Sequence, residues 1–505
     1  MINAIIATPP TGGSIHIAIS TAWHSISLRE LYERAGRVAA YLVALGTDSG
    51  DRIGILSSNR LEWVLLDLAA LRLGVETAGL EPGKFEPTSE LLARYDLKVL
   101  FTDTPVDLPG ILAISDIENH SDSARSEVWP PVSYAPEDIT TIKFTSGSTG
   151  VPKGLAATAG SIDSSVTAIQ QMFDHGPGDN LLVFLPLSLL QQRYWIYSAL
   201  AYGHDVTLCT YTSVFAVMAS VRPTVVMGVP AFFEAARREI EQSAAEIDTD
   251  SADEALRAAA NELFGGCIRY LWTGSAPAGS ALLDFYASVG LAIFEGYGLN
   301  ETCIVAKNSP GAARAGSVGR VLSGKTVLID SEGIVRVRSE YPVSHRYLYA
   351  EPGASDRVFR GDNTVITGDV GYLDSDGYLY ILGRADDTIV LDNGRKIVVR
   401  AIEERLVGVG TTITECVVFC RAQTELVAVA SSDRLPADRD AVAAQLAAAN
   451  LGAHRDERIS RVVVADEPFS IGNGLLTSQY KPRRQRIYTR FEAGLTNPEE
   501  GIHAC

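Results

Sequence analysis

The sequence predicts an α/β protein with two units. In the large N-terminal unit, stacked and mostly parallel sheets are flanked by helices and followed by a β-rich subdomain. A small α+β unit closes the chain. Three observations carry this expectation. Short apolar runs of strand length alternate with helical patterns through the first half, a turn-rich strand pair lies just before residue 384, and the last stretch of about 120 residues reads strand, strand, helix, strand.

The elements follow in order. Ser27-Leu28-Arg29-Glu30 is a capping box, and Leu31, Ala35, Val38, Leu42 and Leu45 then recur at helical spacing up to Gly46. Residues 52–56 read as a buried strand and residues 63–73 as a helix with mixed apolar faces. Further buried strands are expected at 99–101, 181–184 and 224–227, each separated from the next by a helical pattern, so the sheets should be parallel and covered on both faces. Residues 239–261 are acidic and alanine-rich, which predicts a solvated helix or surface excursion. Asp374-Ser375-Asp376-Gly377 marks a turn, and the clearest boundary falls at Gly383-Arg384-Ala385-Asp386-Asp387. The expected units are therefore 1–384 and 385–505. In the second, strands are predicted at 415–419, 426–430 and 461–464, with a helix over 439–449.

Composition narrows the function. The chain has 505 residues and is 46% hydrophobic, more than one ordinary core holds. Its 43 basic against 61 acidic residues give a formal charge of -18, which works against nucleic acid or anionic lipid as a partner. A phosphate-bearing ligand must then be held by a local site. Six scattered cysteines fit a reduced protein, and no apolar segment reaches membrane-spanning length uninterrupted, so a cytoplasmic location without membrane insertion is expected.

The chemistry concentrates in Thr145-Ser146-Gly147-Ser148-Thr149-Gly150-Val151-Pro152-Lys153-Gly154. Its glycines leave backbone amides unobstructed, its hydroxyls add donors and Lys153 adds a cation, the parts that cradle a polyphosphate. It is not a GxxxxGK[ST] loop, because Pro152 precedes the lysine and Gly154 replaces the magnesium-binding hydroxyl. A kinase or GTPase is thereby disfavoured.

Four further segments accompany this loop: Gly274-Ser275-Ala276-Pro277, Glu295-Gly296-Tyr297-Gly298-Leu299-Asn300-Glu301, Thr367-Gly368-Asp369 through Gly383-Arg384, and Leu476-Thr477-Ser478-Gln479-Tyr480-Lys481-Pro482-Arg483-Arg484. Together, in order and spacing, they resemble the adenylate-forming superfamily of acyl-CoA synthetases, peptide-synthetase adenylation domains and luciferases, across essentially the whole chain. The form of Gly296-Tyr297-Gly298-Leu299 and of residues 222–230 looks like the medium- and long-chain fatty-acyl-CoA synthetases.

The resemblance implies ATP, AMP, magnesium and coenzyme A as ligands, and a mobile C-terminal unit. It implies Glu301 as the magnesium ligand, Asp369 on the ribose hydroxyls, and Arg384 on ribose or phosphate. Gly274 to Pro277, with Gly296, Tyr297 and Gly298, would form the adenine slot. Lys481 would reach from the small unit to the α-phosphate and the attacking carboxylate. Rotation at Asp386 and Asp387 would replace Lys481 with the loop around Asn393 and Gly394, which lines the pantetheine tunnel in relatives. Leu189, Leu190, Trp195, Val229 and Phe232 are candidates for an acyl pocket, each with ordinary core as the competing assignment.

The sequence departs from the pattern at three places. Asn300 stands where a threonine usually contacts the α-phosphate, Leu189 where a histidine or aromatic lies near the substrate carboxylate, and Ala159-Gly160 where a Thr-His pair is frequent. Three functions stay open: a complete synthetase for an apolar carboxylic acid, an enzyme that only converts preformed acyl-adenylate to thioester, and a silent nucleotide- or acyl-binding homologue. The acceptor is expected to be CoA rather than a carrier protein, and a homodimer is one possible assembly.

Overall fold

The computed structural model describes residues 1–19, 22–104, 106–121, 131–145, 152–249, 251–393, 395–477, 480–497 and 500–503. Two large sheets dominate the first 350 residues or so. One has nine strands in the order Arg320–Val321, Cys303–Lys307, Ile293–Leu299, Tyr270–Thr273, Val225–Gly228, Asn180–Val183, Asp205–Leu208, Ser14–Ile17, His24–Ser27. The run from Ile293–Leu299 to Ser14–Ile17 is parallel, and antiparallel hairpins close both ends.

The other has seven strands in the order Tyr347–Leu348, Lys153–Thr158, Ile139–Thr145, Glu76–Leu80, Arg52–Leu56, Val99–Thr102, Ile111–Ala113. Helix Leu190–Tyr202 is buried around nearly its whole circumference, as a helix held inside a layered α/β core must be. Its residues join a single apolar cluster that runs from Ile2 to Val343.

The sequence signals map onto this frame with small shifts. Ser27 caps helix Leu28–Ala44, its hydroxyl accepting from the Glu30 amide at 3.1 Å. Strands occur at Asn180–Val183 and Val225–Gly228, and the acidic stretch divides between helices Pro230–Ala244 and Ala252–Leu263. A four-stranded antiparallel sheet, Lys325–Ile329, Ile334–Ser339, Thr364–Leu373 and Leu379–Arg384, supplies the β-rich stretch. The last unit packs helices Val399–Gly408, Arg439–Asn450 and Arg484–Thr496 on a sheet of Glu415–Arg421, Glu425–Ser431, Ile459–Val464 and Ile502–His503. It holds two apolar clusters of its own, lying within residues 391–502. Among the described residues no helix is long and apolar enough to cross a membrane.

Candidate active site

Strands Ile139–Thr145 and Lys153–Thr158 form a hairpin that pairs Thr145 with Lys153, which fixes both ends of the phosphate loop. Ser146, Gly147, Ser148, Thr149 and Gly150 lie outside the described residues, as does Gly394. Strand Tyr347–Leu348 pairs with the far side of Lys153–Thr158. This brings the Tyr347 ring under the Lys153 ammonium, 4.9 Å from the ring centroid, while the Tyr347 hydroxyl donates to Glu301 Oε1 at 2.6 Å. Burial and the Glu301 charge push the Tyr347 phenol well above its ordinary value, so it stays a donor.

Glu301 sits in the turn between strands Ile293–Leu299 and Cys303–Lys307. That turn is tight. The Leu299 amide donates to Thr302 Oγ1 at 3.0 Å, and Lys325 Nζ donates to the Thr302 carbonyl at 2.7 Å. A Cβ on Gly298 would stand 2.0 Å from the Cys303 carbonyl oxygen, so only glycine lets the two strands close here. Gly296 and Gly274 face each other, with a Cβ on Gly274 meeting the Gly296 carbonyl at 3.3 Å. Ser275 adopts φ +69 and the Ala278 amide donates to Glu295 Oε1 at 3.2 Å, which turns the chain of Ala276 and Pro277 across the end of the hairpin.

Asp369 and Arg384 pair directly across strands Thr364–Leu373 and Leu379–Arg384. Arg384 Nη1 donates to Asp369 Oδ1 at 3.1 Å and to the Thr367 carbonyl at 2.7 Å. Tyr297 donates its hydroxyl to the other Asp369 oxygen. The aspartate is 5% exposed and satisfied on both oxygens, so its position is closely determined.

Lys481 arrives from the C-terminal unit on a turn closed by Thr477, whose amide donates to the Lys481 carbonyl at 2.8 Å and whose Oγ1 accepts from the Lys481 amide at 3.1 Å. Neighbouring Tyr480 stacks on Tyr211 of the large unit, centroids 5.3 Å apart. The charges acting on the Lys481 ammonium are those of Asp369, Arg384 and Glu301, and burial lowers its pKa below the ordinary 10.5. The small unit thus stands with its lysine turned to the carboxylates of the large one.

Leu189 caps helix Leu190–Tyr202 without a side-chain hydrogen bond and is half-buried. Val229 and Phe232 are buried, Phe232 within a cluster that includes Phe184, Tyr211 and Phe215. Trp195 packs edge-on against Trp272, so among these candidates Leu189 is the least enclosed. Sequence reasoning did not single out Tyr347, Arg193, Lys143 or Tyr211. Arg193 is fully buried and donates from Nη1 to Asp67 at 2.9 Å, to Thr141 at 3.1 Å and to Thr77 at 3.3 Å, while Tyr197 donates to Asp67 at 2.5 Å. The signal for that network was a basic residue inside an otherwise apolar helix pattern.

The arrangement gathers the two strand ends that flank the Ser/Thr/Gly-rich loop, a carboxylate at the end of a hairpin, an acid-base pair across a sheet and a lysine brought from a second unit, a set suited to a nucleotide-handling enzyme built from two units. The AMP-binding enzyme family matches residues 12–339, and the chain belongs to that family. It is 27% identical over 561 aligned positions to the long-chain-fatty-acid–CoA ligase FadD15 of Mycobacterium bovis, covering 94% of this chain and 92% of that protein. It is 26% identical to the 2-succinylbenzoate–CoA ligase of Bacillus licheniformis over 74% of this chain and 77% of that one. Among solved structures, o-succinylbenzoate CoA synthetase from Bacillus subtilis in complex with its acyl-adenylate intermediate has the same fold, with a TM-score of 0.76 at 21% identity, covering 97% of this chain and 96% of that one.

Proposed function

We propose that this protein is an acyl-CoA synthetase that activates an apolar carboxylic acid with ATP and then forms the CoA thioester. The observation that carries the proposal is that the Lys481 ammonium, from the C-terminal unit, lies buried within the fields of Asp369, Arg384 and Glu301 of the large unit. Relatives named for long-chain fatty acids and for 2-succinylbenzoate support a CoA ligase and an acid with a large apolar part.

In the first half-reaction a carboxylate oxygen bonds to the α-phosphorus while the bond to the pyrophosphate oxygen breaks. Anion attacks anion, so positioning and charge neutralisation matter more than covalent help. Lys481 neutralises both partners, Lys153 the leaving phosphates. Asp369 takes the ribose hydroxyls and Arg384 the ribose or phosphate. Gly274, Ser275, Ala276 and Pro277 hold the adenine against Tyr297, and Asn300 offers its amide to the α-phosphate. Magnesium suits Glu301: the ion takes one or two carboxylates beside phosphate oxygens and waters, and among the described residues no three-ligand protein cage competes for it. Bound there, it supplies charge to the phosphates.

In the second half-reaction the CoA sulfur bonds to the acyl carbon, the carbon–oxygen bond breaks to release AMP with its electron pair, and the thiol proton passes to water. The two separate sets of apolar clusters support a division into residues 1–384 and 385–505, with Asp386 and Asp387 as hinge and the Gly394 loop facing the pantetheine. Leu189, Val229 and Phe232 are the proposed acyl-pocket residues.

A second reading, thioester formation from preformed acyl-adenylate alone, is favoured by Leu189, which puts no polar group at the helix end where the carboxylate would lie. The two are separated by acid-dependent ATP–pyrophosphate exchange beside thioester formation from synthetic acyl-AMP. Exchange matching the thioester rate supports the complete synthetase. Its absence, with thioester formation intact, leaves the half-reaction. Absence of both overturns the CoA-ligase reading.

A further inference from the structure

Two cations, Arg193 and Lys143, lie between strand Ile139–Thr145 and helix Leu190–Tyr202. Asp67 pairs directly with Arg193, whereas Lys143 feels the Glu301 carboxylate only through space. Arg193 satisfies Asp67 through Nη1, yet its Nε and Nη2 are buried without a partner. Lys143 is 6% exposed and has no hydrogen-bond acceptor and no carboxylate within ion-pair distance among the described residues. Burial disfavours its ammonium, the Glu301 carboxylate favours it and Arg193 opposes it.

The strand places Lys143 with some precision. It shares its face with Thr141, which accepts from Arg193, and with Thr145, which enters the phosphate loop. Across the sheet it pairs with Gly79 of strand Glu76–Leu80. A Cβ on Gly79 would lie 3.1 Å from Ser188 Cα, so the segment leading to Leu189 rests directly on the strand beside Lys143. Ser188 Oγ is itself buried and unpartnered. The unpartnered Ser188 hydroxyl and the Lys143 ammonium thus stand where residue 189 brings no polar group, at the strand that leads to Thr145. A buried ammonium with no carboxylate in direct contact is costly, and an arriving anion lowers that cost.

We propose that Lys143, assisted by Ser188, binds the reacting carboxylate of the acid substrate and holds it for attack on the α-phosphorus. The assignment rests on the CoA-ligase reading, and it places in the sheet the cation that position 189 does not provide. Lys153, paired with Thr145 at the mouth of the hairpin, is the cation for the phosphates, so the carboxylate is the anion left for Lys143.

The test uses the full-length protein as wild type, Lys143→Met, Lys143→Arg and Ser188→Ala. Dodecanoate and 2-succinylbenzoate serve as acids in pyrophosphate exchange, and dodecanoyl-AMP with CoA reports the second half-reaction. Lys143→Met is expected to raise the KM for the acid by about tenfold or more, the scale of a lost charged hydrogen bond. The KM for ATP and the rate from dodecanoyl-AMP, which carries no free carboxylate, should change less than about threefold, and arginine should restore much of the loss.

An unchanged acid KM overturns the proposal, as does a change confined to the KM for ATP, which would assign Lys143 to a phosphate. Equal loss in both half-reactions overturns it in favour of a structural role. Should Lys143→Met not fold, Ser188→Ala must still raise the acid KM about threefold. Dodecanoate binding in the presence of AMP, measured by calorimetry, reads the same contact without turnover. A wild type that binds dodecanoate but makes no thioester removes the CoA-ligase reading, whereas equal binding by wild type and Lys143→Met removes this one.

Discussion

The Tyr347 hydroxyl donates to Glu301 Oε1 across 2.6 Å, and the same tyrosine ring supports the Lys153 ammonium, so one residue positions two charged groups of opposite sign. Tyr347→Phe keeps the ring under Lys153 and removes only the hydrogen bond that orients the carboxylate. Groups that orient a metal-ligating carboxylate typically change metal affinity about 10- to 100-fold when lost. We expect the magnesium concentration for half-maximal pyrophosphate exchange to rise about tenfold, with the KM for the acid unchanged. An unaltered magnesium dependence would remove Tyr347 from this role.

Lys481 gives a pH prediction. Its surroundings disfavour the ammonium, chiefly by desolvation, against the opposing pull of Asp369 and Glu301, so the folded pKa lies below 10.5. The charged form is the one that meets anions. Adenylation should therefore be fully active below the lowered pKa and fall as pH rises through it, earlier than an ordinary lysine would allow. In Lys481→Arg the charge persists, and the alkaline limb of kcat/KM for exchange should move upward in pH even if the rate itself drops.

Glu415 supplies a stability prediction of the opposite character. Burial, followed by the Glu403 and Asp433 charges, pushes its carboxyl up to about 7. Raised above its unfolded value, it stabilises the fold most when protonated at low pH. That contribution is lost as pH climbs from about 4.5 to about 7, by at most about 3 kcal/mol. Glu415→Gln should flatten this slope of the denaturation midpoint and leave the protein more stable than wild type at pH 7.5, a contrast that disappears near pH 4.

Local signals in the sequence sufficed for much of the frame. Ser27 and Glu30 cap a helix three residues apart, and the strand runs at 52–56 and 415–419 carry their own apolar signature, so neighbours in sequence determine the outcome. The motif residues Tyr297, Glu301, Asp369, Arg384 and Lys481 were legible through resemblance, and the structure brings them together. Tyr347 and Arg193 were not. Tyr347 reaches 46 residues back to Glu301, and Arg193 reaches 126 back to Asp67, contacts that no periodic pattern encodes. A reading by periodicity alone also misses that Arg193 turns a helix face polar inside the core. Lys143 was hidden similarly, since a lysine within an apolar strand carries no local cue to what it faces.

Arg193 and Asp67 allow the last prediction. Their contact is buried, with side-chain exposures of 0% and 4%, and it ties helix Leu190–Tyr202 to helix Leu61–Leu73 and to the strands of Thr77 and Thr141. Removing one partner strands the other in a medium where an unpaired charge is expensive, about 3–5 kcal/mol for a buried pair. Asp67→Ala leaves Arg193 without its only carboxylate among the described residues and also strips the Tyr197 hydroxyl of its acceptor. It should therefore shift the urea midpoint strongly downward. Replacing both ends with apolar residues, Asp67→Leu with Arg193→Met, removes the stranded charge, so the double variant should recover most of the loss. A double variant no more stable than Asp67→Ala would mean that the hydrogen bonds to Thr77 and Thr141, rather than the charge balance, hold the helix against the sheet.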